Sequence, residues 1–143
     1  MFIEEIKLDT IINIPSQEIT KQEILEFSAS YDPIPLHTDE EYAKTTKFGQ
    51  LIAPGVLSFL KVWARFIEQD FFGDELIAGK STKIEWLKPV FVGDKLSGKI
   101  FISNITKRNN YNGIVETTME VYNQNKELVL TNVTESIVKY KNQ

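Results

Sequence analysis

The run from Val56 to Ile67 constrains the fold more than any other part of the chain. Wound as a helix, its Val56, Leu57, Phe59, Leu60, Val62, Trp63, Phe66 and Ile67 cover most of the circumference. A helix apolar on nearly all sides must be buried on nearly all sides. The run is too short to cross a bilayer, and Lys61 and Arg65 interrupt it. Its covering must therefore come from protein: a sheet wrapped around it, with help from a second chain or other elements. Pro54-Gly55 supplies the helix start.

The second half of the chain provides such a sheet. Residues 83–88, 95–104, 113–123 and 128–139 read as strands. In the third of them Val115, Thr117, Met119 and Val121 alternate with Glu116, Thr118, Glu120 and Tyr122, which is strand periodicity. Val92-Gly93-Asp94, residues 109–113 and residues 123–126 are turn signals. Short turns between consecutive strands imply antiparallel pairing. An N-terminal strand over residues 3–8 is expected at the sheet edge. The expected architecture is α+β, one domain over residues 1–143, with a curved antiparallel sheet around a long central helix.

Residues 16–72 have a helical texture instead. Ser16 and Thr20 are both candidate caps, and Thr20-Lys21-Gln22-Glu23 fits a capping box. Ile24, Phe27 and Tyr31 recur at helical spacing, and Pro33 stops the helix near Asp32. A short second helix is expected over residues 39–45.

Composition narrows the function. The formal net charge is −4, which argues against nucleic acid as the main partner. There is no cysteine, so thiolate chemistry is excluded, and the single His37 excludes a multi-histidine metal site within one chain. No metal is expected. The acidic start, Met1-Phe2-Ile3-Glu4-Glu5, does not read as a signal peptide, and the expected location is cytoplasmic.

The chemistry points to Asp32-Pro33-Ile34-Pro35-Leu36-His37. Two prolines fix φ and remove two backbone donors, so the segment is expected to be a stiff, irregular loop. Such a loop can hold a carboxylate and an imidazole at fixed separation, as a general acid/base pair. The plainer reading is a turn followed by a polar surface histidine. Downstream, Phe48-Gly49-Gln50-Leu51-Ile52-Ala53-Pro54-Gly55 delivers the chain to the apolar helix. The first N–H groups of that helix lack intrahelical partners and could hold a developing oxyanion. The plainer reading there is a simple helix start.

Taken together, Asp32, Pro35-Leu36-His37-Thr38-Asp39, Ala43, Phe48-Gly49 and Ile52-Ala53-Pro54-Gly55-Val56-Leu57 resemble the motif of the MaoC-like (R)-specific enoyl-CoA hydratases, acyl dehydratases of hot-dog fold. The family pattern is Asp-x-Asn-Pro-x-His-x-Asp, followed by Phe-Gly and a glycine helix start. A second, weaker likeness is Trp86-Leu87-Lys88-Pro89-Val90-Phe91-Val92-Gly93-Asp94, similar to the Pro-Val-x-x-Gly-Asp turn of the same proteins. The resemblance implies a homodimer or higher homo-oligomer, and a substrate that is an acyl thioester of coenzyme A or acyl carrier protein. It implies reversible addition of water to a trans-2-enoyl thioester, giving an (R)-3-hydroxyacyl thioester. Asp32 and His37 would be the catalytic pair. Gly55 would be the oxyanion donor, with Pro54 and Ile34 beside the substrate. No cofactor is implied, coenzyme A being part of the substrate.

One residue departs from the pattern. Ile34 stands where the family has asparagine, and it can make no side-chain hydrogen bond. A non-catalytic acyl-thioester binder is therefore a competing expectation. A hot-dog acyl-CoA thioesterase is another, but the only acidic residues near the central helix are Glu68 and Asp70, at its far end. Phe59 and Trp63 could line an acyl tunnel, or simply pack the core.

Overall fold

The computed structural model describes residues 1–141. Five strands form one antiparallel sheet: β1 (Ile11–Glu18), β2 (Leu76–Trp86), β3 (Lys95–Lys107), β4 (Asn112–Tyr122) and β5 (Leu128–Lys139), in the order β1-β3-β4-β5-β2. Between β1 and β2 lie four helices: α1 (Lys21–Tyr31), α2 (Pro35–Thr38), α3 (Glu40–Lys44) and α4 (Gly55–Glu68). α4 rests on the sheet, sending Leu57, Phe59, Val62 and Phe66 into a core shared with Ile14, Leu96, Ile100, Met119 and Leu130. The architecture is the α+β hot-dog arrangement anticipated from the sequence.

Alternation decides the sheet faces. Val115, Thr117, Met119 and Val121 all point inward and are buried. β5 follows the same rule, but its inward row is polar in the middle: Asn132, Thr134 and Ser136 are buried between Leu130 and Val138. The Thr20 capping box forms as expected, with Glu23 N–H donating to Thr20 Oγ1 at 3.2 Å and Thr20 N–H donating to Glu23 Oε2 at 2.8 Å.

Several expectations are corrected. The first strand is not at residues 3–8: Ile3–Glu5 form a 3-10 turn, and pairing starts at Ile11. Ile3 and Ile6, spaced as in a turn, both enter the core, whereas Leu8 is exposed. Ser16 caps nothing; it lies inside β1, where pairing with β3 lapses between Ile14 and Gln17. Pro15 has no N–H to give to the ladder, and an edge strand with a bulge is where such a residue fits. β2 begins at Leu76 rather than residue 83. The Asp32–His37 segment is not wholly irregular, because Pro35, at the first helical position, opens the single turn of α2. Within this one chain α4 keeps an open face, Val56, Leu60 and Ile67 being 42%, 40% and 45% exposed, which leaves the expected help from a second chain or other elements untested. β2 is exposed over nearly its whole length; it is an outer strand whose neighbour in the sheet is β5.

Candidate active site

Asp32 is the C-cap of α1, its N–H donating to Ser28 O at 2.9 Å. Ile34 is the N-cap of α2 and offers no side-chain cap. That turn carries His37, which is buried, while the Asp32 side chain is 44% exposed. Asp39 then caps α3 by accepting from Tyr42 N–H at 3.1 Å. The acidic residue two places after the histidine therefore has a structural role, turning the chain from α2 into α3.

His37 is held from both sides. Its Nδ1 lies 2.7 Å from Ile52 O, and its Nε2 lies 3.4 Å from Asp32 Oδ2. A carbonyl oxygen only accepts, so Nδ1 carries the proton. In the neutral ring Nε2 then presents a lone pair to the Asp32 carboxylate. Two acceptors at that distance are satisfied by one added proton, or by a water whose two O–H groups point at both. The gap between the two can thus be closed by a proton on Nε2 or by a bridging water.

The Ile52 carbonyl owes its place to the second sequence likeness. Ile52 bridges Phe91 in antiparallel fashion, and Ala53 N–H donates to Val90 O at 2.8 Å. Phe91 N–H is in turn held by Asp94 Oδ2 at 2.9 Å, and Gln124 Nε2 donates to Asp94 Oδ1 at 2.9 Å. Gly93 makes this turn with φ of +87°, a region that suits glycine. The Gly-Asp turn therefore sets the carbonyl that fixes the histidine tautomer.

A cavity of about 320 Å³ opens beside the pair, lined by His37, Phe48, Gly55, Ser58, Trp86, Pro89 and Leu130 among others. His37 and Gly55 thus share one cavity; Asp32, with Oδ2 3.4 Å from His37 Nε2, is not among its lining residues. Pro54 and Ile34 are not among its lining residues. Pro54 is the N-cap of α4, and its carbonyl accepts from Ser58 N–H at 3.1 Å. The intrahelical ladder starts with that bond, so the N–H groups of Gly55, Val56 and Leu57 are left to other acceptors. Gly55 has room for no side chain: a Cβ would lie 2.1 Å from Trp86 Nε1.

A second cavity of about 300 Å³ lies farther along α4, between Phe59 and Trp63 on one side and β2 with Thr134 on the other. The two rings stack with centroids 5.5 Å apart. Two of its lining residues, Thr82 and Thr134, belong to a closed ring of hydrogen bonds. Asn132 Nδ2 donates to Thr82 Oγ1 at 2.7 Å and to Lys83 O at 3.1 Å, and Thr134 Oγ1 donates to Asn132 Oδ1 at 2.8 Å. Thr82 must then donate to Thr134 across their 2.8 Å contact. Every donor of the ring is engaged. Reading the sequence identified Phe59 and Trp63 but missed Ser58, Trp86 and this ring, because a threonine on a strand and a tryptophan before a turn carry no signal of their own.

Among the described residues no helix is long and apolar enough to cross a membrane. Comparison with known proteins agrees with the geometry. A solved structure described as a monoamine oxidase regulatory protein from Archaeoglobus fulgidus superposes with a TM-score of 0.92 at 29% identity, over 99% of this chain and 95% of that one. The MaoC-like dehydratase from Rhodospirillum rubrum gives 0.87 at 24% identity, over 100% and 99% of the two chains. The (R)-hydratase from A. caviae gives 0.77 at 24%, over 96% and 99%. In sequence, the uncharacterized protein YdeM of Bacillus subtilis is 29% identical over 125 residues, 87% of this chain and 89% of the relative. The model of the MaoC like domain matches residues 7–125. With the His37 turn and the Gly55 helix start both inside that span, the chain belongs to the MaoC-like domain family.

Proposed function

We propose that the protein is a hydratase/dehydratase that adds water reversibly to a trans-2-enoyl thioester of coenzyme A or acyl carrier protein, giving the (R)-3-hydroxyacyl thioester. The observation that carries this reading is the Asp32–His37 pair, 3.4 Å apart, beside a cavity that also holds the start of α4 at Gly55. A water accepted between Nε2 and Oδ2 attacks C3 of the enoyl group. The pair takes one proton from that water and returns one to C2. Electrons displaced from the double bond rest on the thioester oxygen as an enolate, which the Gly55 N–H holds until C2 is protonated. The thioester itself acidifies C2, so the chemistry asks for no redox cofactor, and coenzyme A enters as part of the substrate. The (R) outcome is supported by the shared fold with the (R)-hydratase from A. caviae.

A homodimer belongs to the same proposal. The exposed stripe of Val56, Leu60 and Ile67 on α4 and the unpaired outer edge of β2, with Ile77, Trp86 and Leu87 exposed, leave apolar surface that a second copy would cover.

A non-catalytic thioester binder is the second reading, favoured by Ile34. The thioesterase reading has less support, since Glu68 is paired with Arg65 at 2.6 Å at the far end of α4. The deciding experiment follows loss of the conjugated-enoyl absorbance of crotonyl-CoA with the wild-type protein, Asp32→Asn and His37→Ala. Hydration by the wild type and its loss in both folded variants is the expected result. Binding without turnover on crotonyl or longer enoyl thioesters would replace the hydratase with the binder.

A further inference from the structure

We propose that Asp94 is a positioning residue for His37, acting through a relay of two peptide groups: its buried carboxylate holds the proton on Nδ1 and so leaves the Nε2 lone pair free for the reacting water. The kinetic consequence rests on the hydratase reading, whereas the state of the His37 ring can be read without turnover.

The relay is continuous. Phe91 N–H donates to Asp94 Oδ2 at 2.9 Å. Val90 O, at the other end of that same peptide group, accepts from Ala53 N–H at 2.8 Å. Ile52 O, at the other end of the Ala53 peptide group, lies 2.7 Å from His37 Nδ1. The C=O and N–H of a trans peptide point in opposite directions, so the three hydrogen bonds join two peptide groups in series. An anion that accepts from an N–H polarises that peptide group, strengthens its C=O as an acceptor and passes the effect to the next group. The last acceptor in the series is the one His37 uses. When Nε2 takes a proton, the positive charge on the ring therefore meets a carbonyl backed by a carboxylate.

Asp94 has the features such a role needs. It is 8% exposed, and among the described residues no cation is paired with it. Lys88, which lines the same outer cavity, is held by Glu127. A buried carboxylate without a cation is costly, and a neutral side-chain oxygen could accept from the same N–H. The turn also has a bond that does not use the side chain, from Asp94 N–H to Phe91 O at 3.1 Å. Closing the turn therefore does not call for a charge, whereas polarising the relay does. The other carboxylate oxygen, Oδ1, accepts from Gln124 Nε2 at 2.9 Å, and Gln124 is oriented by Lys95 N–H, which donates to its Oε1 at 3.1 Å. Asp94 is thus held from two sides, with Oδ2 on the first N–H of the series.

His37 is the single histidine, so its ring gives one set of ¹H–¹⁵N signals, and these tell the two neutral tautomers apart. The wild-type ring should carry its proton on Nδ1, with that proton far downfield. Asp94→Asn and Asp94→Ser each leave an oxygen for Phe91 N–H but remove the charge. In both, the Nδ1 proton should move upfield, and kcat for crotonyl-CoA hydration should fall roughly 3- to 10-fold with KM little changed. The indole signals of Trp63 and Trp86 report that each variant is folded. Gln124→Ala loosens the turn but keeps the charge, and it should not move the Nδ1 proton upfield. A wild-type neutral ring protonated on Nε2 overturns the proposal without any variant. A His37 signal unchanged in the folded Asp94 variants overturns it too, as does a kcat unchanged in both. An upfield move in Gln124→Ala as large as that in Asp94→Asn would show that His37 feels the turn rather than the charge, and would equally sink the relay. If the wild type turns over no enoyl thioester, the hydratase reading falls, and the ring signals alone decide the role of Asp94.

Discussion

Gly55→Ala is a stringent test of how the helix start is built. The new methyl group would fall 2.1 to 2.6 Å from three atoms of the Trp86 ring, where unstrained carbon contacts are about 3.5–4.0 Å. The backbone of α4 is fixed by the core beneath it, so the ring must leave. Trp86 is 55% exposed, so a little under half of it is covered. A tryptophan buries at most about 250 Å², which makes the covered part roughly 100 Å², or about 2.5 kcal/mol at ~25 cal/mol/Å² if all of it were lost. Alanine gains up to about 1 kcal/mol over glycine in a helix, less at its first residue. The net cost is about 1–2 kcal/mol, a fall in Tm of roughly 3–8 °C for a domain of this size. Thermal melts at fixed protein concentration should show it. The same substitution in a Trp86→Ala background should cost nothing or stabilise, because the obstructing ring is gone. Gly79→Ala, on the open β2 strand with nothing within 4 Å of its Cβ, is the control and should be close to neutral. An equal loss from Gly55→Ala in both backgrounds would refute the steric argument.

Two further substitutions probe the supports of the site. Ile34 is an uncapped N-cap and 46% exposed, so Ile34→Asn should cap the His37 turn at little packing cost and stabilise by about 0.5–1 kcal/mol, read as a higher Tm; a lower one would show that Ile34 packs more than its exposure implies. Burial pushes the Glu23 carboxyl up, but the Lys61 ammonium at 2.8 Å and the Thr20 N–H and hydroxyl together hold it below its ordinary range. A depressed carboxyl contributes stability above its unfolded pKa, near 4.3, and loses it as pH falls through the folded value. Lys61→Met should therefore melt below the wild type at pH 7, with the gap closing below about pH 4; a gap that stays constant with pH would mean the lysine acts through packing alone.

Much of this was legible in the sequence because the relevant signals are local. The β4 alternation, the Thr20 capping box and the glycine at the start of α4 each depend on a few adjacent residues. The Asp32–His37 spacing was equally plain, and the structure brings the two side chains together. What could not be read was decided by distant partners. Ile3 and Ile6 look like a strand until the sheet edge turns out to be filled by Ile11–Glu18, with Pro15 at its bulge. The histidine's tautomer depends on a carbonyl set by Asp94, more than fifty residues away in sequence. Uniform apolarity in α4 promised burial on all sides, but periodicity does not say whether the cover comes from the same chain. Ile34 and Pro54 adjoin the motif in sequence, yet their places are helix caps rather than cavity wall.

The strand order also sets a schedule for synthesis. β2 pairs only with β5, and β1 only with β3, so neither outer strand has a partner close in sequence. While the chain emerges from the ribosome, β2 must wait about fifty residues for the last strand before any of its backbone donors can be satisfied by the sheet. Until then α4 lies against an unfinished surface with its apolar residues open to other chains. Such delayed pairing makes folding slow and exposes nascent strands to wrong partners. Lys80, Lys83 and Glu85, the charged residues of β2, place charge on that waiting edge. The outer edge of β2 is thus the one most in need of protection while the chain is being made.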